Sequence, residues 1–217
     1  MKPKCVVLLS GGMDSAVAAY WAKERFGQGI ALSIWYGQRH KKEIDFSKKL
    51  AEKLQFPFTI RTFDLQGICG DSALVDAHGS VNKRFRGLPA SFVPGRNLFM
   101  LTIAGVLAYQ ERINYIVGGW NIVDYGGYPD CRPEFLSQAE ITLTKAMNYP
   151  IKIHKPVLYM NKRQILEYGL ELEVPFQLTW SCYEGKAKPC GKCDACKNRA
   201  KGFRELKIKD PLLEGNH

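Results

Sequence analysis

The chain has 217 residues, 46% of them apolar, enough for one well-packed α/β core with a small appendage, and it carries no internal repeat, low-complexity tract or flexible linker. Its formal charge of +10 is consistent with an RNA partner, yet nine of its 31 lysines and arginines fall between Lys186 and Lys209, so charge alone does not establish nucleic-acid binding. No run of about 18 apolar residues occurs, and Met-Lys-Pro-Lys leads into a strand pattern without a signal-peptide core, so the expectation is a cytoplasmic protein with no membrane segment.

Cys5 to Leu9 predicts a short buried strand. Ser10-Gly11-Gly12-Met13-Asp14 follows as a tight turn, and Ser15 opens a helix over Ala16 to Arg25 that Gly27 and Gly29 close. A strand, a glycine turn and a helix N-terminus make a phosphate cradle, because free backbone N–H groups point at the anion. The loop is not a Walker A sequence, having no Gly-Lys-Ser/Thr at the required spacing, and it is not a G-x-G-x-x-G fingerprint. A merely structural glycine turn is the plain alternative, disfavoured by the presence of both serines and the aspartate.

Ile30 to Trp35 predicts a second buried strand running into the polar tip Tyr36-Gly37-Gln38-Arg39-His40; Glu43 to Leu54 is an amphipathic helix and Phe58 to Asp64 a third strand. Strands alternating with helices imply parallel pairing, with ligands beyond the carboxyl ends of the strands, so the cradle and the Tyr36–His40 tip share an edge. Leu65 to Pro94 loses periodicity, carries Gly67, Gly70, Gly79 and Gly87 and a basic knot at Lys83, Arg84 and Arg86, and reads as a long, mobile lid. Val93-Pro94-Gly95-Arg96-Asn97 launches an apolar helix over Leu98 to Ala108, which places Arg96 near a helix N-terminus suited to a nucleotide phosphate; an exposed loop arginine is the alternative. Tyr115 to Gly118 is a fourth strand, Gly119 to Arg132 a glycine-rich loop suited to substrate, Pro133 to Asn148 a helix and Ile151 to Lys155 a fifth strand. Asn161 caps a short helix ending near Gly169.

The remainder is a cysteine-bearing tail. Cys182-x7-Cys190-x2-Cys193-x2-Cys196 brings four soft ligands within reach of one ion, for which tetrahedral zinc is the best fit and an iron–sulfur cluster the competitor. Four protein sulfurs leave no open coordination position, so the metal folds the tail and does no chemistry. Such a cluster carries a formal negative charge that nearby lysines offset. Cys5, Cys69 and Cys131 lie outside it, Cys5 as a small buried hydrophobe.

Ser10-Gly11-Gly12-x-Asp14-Ser15 resembles the ATP pyrophosphatase loop. Together with Tyr36 to His40, Val93 to Asn97, Gly127-Tyr128-Pro129-Asp130-Cys131-Arg132 and the four cysteines, it makes the chain resemble the 7-cyano-7-deazaguanine synthase family of queuosine biosynthesis over most of its length. The resemblance implies a Rossmann-like α/β fold of the adenine nucleotide alpha hydrolase kind: a parallel five-stranded sheet with helices on both faces, residues 1–175 binding nucleotide and 176–217 forming a small C-terminal zinc-binding region. It implies an ATP-dependent C–N ligase that converts 7-carboxy-7-deazaguanine and ammonia to the nitrile through an adenylated carboxylate and an amide, releasing AMP and pyrophosphate. ATP, Mg²⁺ and Zn²⁺ are the implied cofactors and a homodimer the implied assembly, with direct nucleic-acid binding not expected. Carried over by residue, Leu9, Ser10, Gly11, Gly12, Met13, Asp14, Ser15, Tyr36 and Arg96 would hold ATP, with Asp14 positioning Mg²⁺ and Arg96 stabilising phosphate charge. Asp124, Tyr128, Asp130 and Arg132 would line the deazaguanine side, Asp124 joining Asp14 and Arg96 as catalytic. Gly126 stands where the family usually has serine and Trp35 where aspartate is usual, which puts fine specificity in question. The competing expectations are a tRNA-modifying enzyme with the same loop, a diverged member that stops at the amide, and a non-enzymatic nucleotide-sensing module with a zinc knuckle.

Overall fold

The strand Lys4–Leu8 (β1) alternates its side chains between two cores: Cys5 and Val7, with Leu9 just beyond, enter one, and Val6 enters the other. Both faces of this strand are therefore covered, which explains why it reads as a continuous apolar run. The computed structural model describes residues 4–38, 40–64, 84–85, 88–89, 92–123 and 128–214. In chain order β1 is followed by α1 (Met13–Phe26), β2 (Gln28–Trp35), α2 (Lys42–Leu54), β3 (Phe58–Thr62), the two-residue strands β4 (Arg84–Phe85) and β5 (Leu88–Pro89), and α3 (Arg96–Gln110). Then come β6 (Tyr115–Gly118), α4 (Pro133–Met147), β7 (Lys152–His154), α5 (Lys162–Glu171), α6 (Asp194–Glu205) and α7 (Pro211–Glu214), with 3-10 turns at Pro129–Cys131 and Phe176–Leu178.

Five strands form one sheet in the order β3-β2-β1-β6-β7, every neighbouring pair parallel. Residues of α1, α2 and α5 pack in the core that takes Cys5, Val7, Ala31 and Val117, and residues of α3 and α4 in the core that takes Val6, Leu32, Ile116 and Ile153. The fold class expected from the sequence is thus observed. The chain builds outward from β1 to β3, then crosses back to start β6 on the other side of β1. That reversal opens a crevice beyond the carboxyl ends of β1 and β6, where open α/β sheets bind ligands.

Local departures from expectation have packing reasons. α1 begins at Met13, so Ser15 sits inside its first turn. Gly27 alone closes that helix, with φ of 74° and its N–H donating to the Lys23 carbonyl; Gly29 already belongs to β2. A Cβ on Gly29 would lie 2.8 Å from the Phe56 ring and 3.0 Å from the Cys5 carbonyl, so this glycine serves strand and helix packing. Within the expected lid, β4 and β5 pair antiparallel; residues 65–83, 86–87 and 90–91, with Cys69, lie outside the described residues. The tail is more regular than expected, since α6 and α7 carry it past the cysteines and Phe203 joins Phe176 in the first core. Asn161 caps α5 as expected, its side chain accepting from the Gln164 N–H at 2.9 Å while the Gln164 side chain returns to the Asn161 N–H at 2.9 Å.

Candidate active site

The loop after β1 crosses the sheet edge on Gly11, whose φ of 79° is in the left-handed region; a Cβ there would collide with the Glu43 carbonyl. Hydrogen bonds fix its shape. The Leu9 carbonyl accepts from Ser33 Oγ at 2.5 Å and from Ser47 Oγ at 3.0 Å, both serines buried. Ser15 Oγ donates to the Gly12 carbonyl at 3.0 Å, accepts from the Ser10 N–H at 3.2 Å and lies 3.0 Å from Ser10 Oγ. Gly12 caps α1 with no side-chain hydrogen bond, so donors at this helix N-terminus are left for an anion. Gly119, just past β6, presses on this turn: a Cβ there would lie 2.5 Å from Asp14 C and Ser15 N.

Two cations line the same cavity as this loop. Lys162, 5% exposed at the first position of α5, places Nζ 2.6 Å from Asp14 Oδ1. Arg96, at the first position of α3, donates from Nη1 to Tyr36 Oη at 3.3 Å and lies with its guanidinium 5.8 Å from that ring's centre. Burial works against the charge on Arg96, but Tyr36 and Asp130 outweigh it and hold the guanidinium protonated. Burial also raises the Tyr36 phenol, and it pushes the Glu43 carboxyl up to about 7 against the pull of Arg96. The cavity enclosed here takes walls from Leu9–Ser10, Gly12–Ser15, Tyr36, Gln38, His40, Glu43, Arg96, Gly119–Asn121, Tyr128, Cys131, Lys162 and Trp180–Ser181.

Of the site residues expected from sequence, Leu9, Ser10, Gly12, Met13, Asp14, Ser15, Tyr36, Arg96 and Tyr128 line this one cavity, and Gly11 shapes the loop from behind. Asp130 and Arg132 are outside its wall. Asp130, buried at 6% exposure, accepts the Asn97 N–H on Oδ2 at 3.1 Å, while its carbonyl accepts from Asn97 Nδ2 at 3.0 Å; it thereby holds the start of α3 and with it Arg96. Arg132 is exposed at the cap of α4. Cys131 does reach the cavity, with its thiol pushed up to about 11 by burial and by Asp130, which favours the protonated form. Asp124, Gly126, Gly127 and Arg39 lie outside the described residues.

The four tail cysteines meet as expected: the Sγ atoms of Cys182, Cys190, Cys193 and Cys196 all lie within 4.8 Å of one another. Cys190 Sγ and Cys196 Sγ are 3.9 Å apart, close to the ~3.8 Å edge of a tetrahedron with ~2.3 Å metal–sulfur bonds. Backbone N–H groups of Glu184 and Cys190 donate to Cys182 Sγ at 3.4 and 3.3 Å, and those of Lys192 and Cys193 to Cys190 Sγ, each at 3.4 Å. Cys193 and Cys196 hydrogen-bond to Cys182 and pull its thiol far down, while Cys193, donating to it, is pushed up to about 11. Four soft sulfur donors gathered at this spacing fit a soft divalent metal. The knuckle abuts the cradle directly: the Trp180 N–H donates to the Gly11 carbonyl at 2.7 Å, Trp180 Nε1 donates to the Cys182 carbonyl at 2.9 Å, and the Lys42 ammonium lies 4.4 Å over the Trp180 ring.

Fold and site together define a parallel α/β protein with a glycine loop and an uncapped helix N-terminus at the switch point of its sheet, and beside that loop a cluster of four cysteines able to hold one metal ion. The sequence model of the family described as queuosine biosynthesis protein QueC matches residues 4–207. A 7-cyano-7-deazaguanine synthase of Chromobacterium violaceum is 39% identical over 97% of this chain and 93% of that protein; one of Leptospira interrogans is 42% identical over 95% and 89%. The chain belongs to the QueC family. More distant solved structures share its fold: a 4-thiouridine synthetase in complex with RNA and bound ATP (TM-score 0.55, 19% identity, 98% of this chain and 51% of that one), and the U34-tRNA thiolase NcsA of Methanococcus maripaludis with its [4Fe-4S] cluster (TM-score 0.53, 16% identity, 100% and 76%).

Proposed function

We propose that the chain is an ATP-dependent C–N ligase that converts 7-carboxy-7-deazaguanine and ammonia to 7-cyano-7-deazaguanine by way of an adenylated carboxylate and an amide. Family membership over nearly the whole chain supports the reaction. The observation that carries the chemistry is the convergence of an uncapped helix N-terminus, Lys162 and Arg96 on one cavity. These groups suit a nucleotide triphosphate: Ser10, Gly12 and the first turn of α1 would hold pyrophosphate, and Lys162 and Arg96 would stabilise the charge that builds as it leaves. Mg²⁺ carried on the phosphates would share Asp14 with Lys162. Tyr128, stacked on Phe92 with ring centres 5.7 Å apart, offers a flat apolar face for the deazaguanine. Asp124 and Arg132 remain proposed substrate contacts, and Asp130 is proposed to act through Asn97 and α3.

Zinc is the proposed occupant of the cysteine knuckle, a structural role in a tail beginning near residue 176. No helix among the described residues is long and apolar enough to cross a membrane; a cytoplasmic location is proposed with the function. A homodimer is proposed as well, supported by the apolar residues Leu98, Phe99, Val106 and Tyr109 left exposed on α3; a light-scattering mass of 24.5 kDa, that of one chain, would refute it.

The test is one incubation with ATP, Mg²⁺, ammonium and 7-carboxy-7-deazaguanine, following AMP and the base by mass spectrometry. AMP together with the nitrile is the expected result. Amide alone would mark a member that stops halfway, and absence of both products would overturn the proposal.

A further inference from the structure

The reaction proposed above releases protons that a group lining the cavity must accept. Ammonium must lose one to become a nucleophile, and the nitrogen must lose more before a nitrile exists. Lysine and arginine are charged, the Cys131 thiol is pushed up by burial, and Asp14 is paired with Lys162 at 2.6 Å. Resting on that reading, we infer that Glu43 is the catalytic base that takes protons from the incoming ammonium and from the amide nitrogen.

Its position is set by the fold. Glu43 is in the first turn of α2; its carbonyl accepts from Ser47 Oγ at 2.8 Å and leaves no room for a Cβ on Gly11, so its backbone is wedged against the phosphate loop. Its half-buried side chain lines the cavity in the electrostatic neighbourhood of Arg96 and Tyr36. Among the described residues no ion pair engages its carboxylate. The carboxylate therefore opens onto the same cavity as the loop and the Tyr36–Arg96 wall, where an acyl adenylate would be held. An anionic group there also attracts ammonium into a cavity whose other carboxylate, Asp14, is paired with Lys162. Burial raises its carboxyl above the ordinary carboxylate range, in the direction a general base needs.

The protons balance without any further reactant. Ammonium gives one proton to Glu43; the freed lone pair forms the C–N bond, the C–O bond to AMP breaks with its electrons on the phosphate oxygen, and the nitrogen sheds a second proton to leave the amide. The amide oxygen then displaces pyrophosphate from a second ATP with loss of one N–H proton. The last N–H proton departs as the C≡N bond forms and AMP is expelled. Glu43 passes each proton to water at the cavity mouth.

Hydroxylamine tests this, because it is already neutral at pH 7 and attacks an acyl adenylate without needing a base. In Glu43→Gln, pyrophosphate release and hydroxamate formation should stay within about twofold of the unmodified enzyme, while ammonium-dependent amide and nitrile formation falls by about 10² to 10⁴. Glu43→Asp, which keeps a carboxylate, should recover part of the ammonium-dependent rate. An equal loss with both nucleophiles would mean that Glu43 only positions Arg96, and no loss with either would mean that it is idle; each result overturns the inference. If the unmodified enzyme releases no pyrophosphate with 7-carboxy-7-deazaguanine, the proposed function fails first and this inference with it.

Discussion

Lys162 and Arg96 each occupy the first position of a helix, where the macrodipole disfavours a cation. A basic residue at that position is a signal that something else stabilises it. For Lys162 the compensation is the Asp14 carboxylate, in a pair whose side chains are 5% and 18% exposed. Under the proposed function, a phosphate arriving at the cradle would add a second anion to the same ammonium, for which Asp14 already holds the charge. Lys162→Met should therefore lower the rate of pyrophosphate release by about 10² to 10³, the usual cost of losing one charge-stabilising donor. It should also destabilise the fold by about 3 kcal/mol, since Asp14 is left partly buried and unpaired. Lys162→Met with Asp14→Asn should regain most of the stability and none of the rate; denaturant melts beside a pyrophosphate assay separate the two. Arg96 was legible in the sequence because Pro94-Gly95 announces a helix start. Lys162 was not, because its partner is 148 positions away and only the fold brings them together.

The same division holds for elements. All five main-sheet strands and the helices α1 to α5 were readable from apolar runs, glycine stops and the Asn161 cap, since these are local steric and hydrogen-bonding effects. The regular tail was not: α6 begins at Asp194, between two metal-binding cysteines, and its sequence Asp-Ala-Cys-Lys-Asn-Arg-Ala-Lys has few apolar residues to show a period. What holds α6 is a buried Arg199, 4% exposed, whose Nε and Nη2 grip Asp210 at 2.6 and 2.7 Å while Nη1 donates to Thr179 Oγ1 at 2.7 Å and Nη2 to the Phe176 carbonyl at 3.0 Å. One guanidinium thus ties α6, the start of α7 and the segment leading to Trp180. Arg199→Met leaves Asp210 buried without a partner and should cost about 3–5 kcal/mol, or roughly 6–20 °C in Tm. Arg199→Met with Asp210→Leu should recover a large part of that loss, because the desolvation of both charges disappears with them. Calorimetry of the single and double variants decides it.

At the scale of the whole molecule two couplings follow from packing. His154 on the edge strand β7 lies among the rings of Trp21, Phe26 and Tyr115, at centre distances of 5.4, 5.6 and 5.7 Å, and its pKa is lowered by burial and then by Arg25, with Lys152, Lys155 and Glu140 also in range. Because the neutral ring is favoured only in the folded state, its contribution is present above the unfolded value of about 6.5 and is lost as pH falls below it. His154→Phe should flatten the stability profile below pH 6.5, as measured by urea melts. The second coupling joins the metal knuckle to the phosphate loop. Trp180 donates its N–H to the Gly11 carbonyl and its indole N–H to the Cys182 carbonyl, so the residue that positions the cradle is itself positioned by a metal-ligand segment. Removing the metal by chelation should free Trp180 and let the Gly11 peptide rotate, weakening ATP binding by about tenfold, a coupling of roughly 1.4 kcal/mol. Linkage makes the effect reciprocal: saturating ATP should tighten metal binding by the same factor. Titration calorimetry of ATP on metal-loaded and metal-free protein, with metal competition in the presence and absence of ATP, measures both arms of the cycle. Equal ATP affinity with and without metal would show that the Trp180 bridge carries no energy between the two sites.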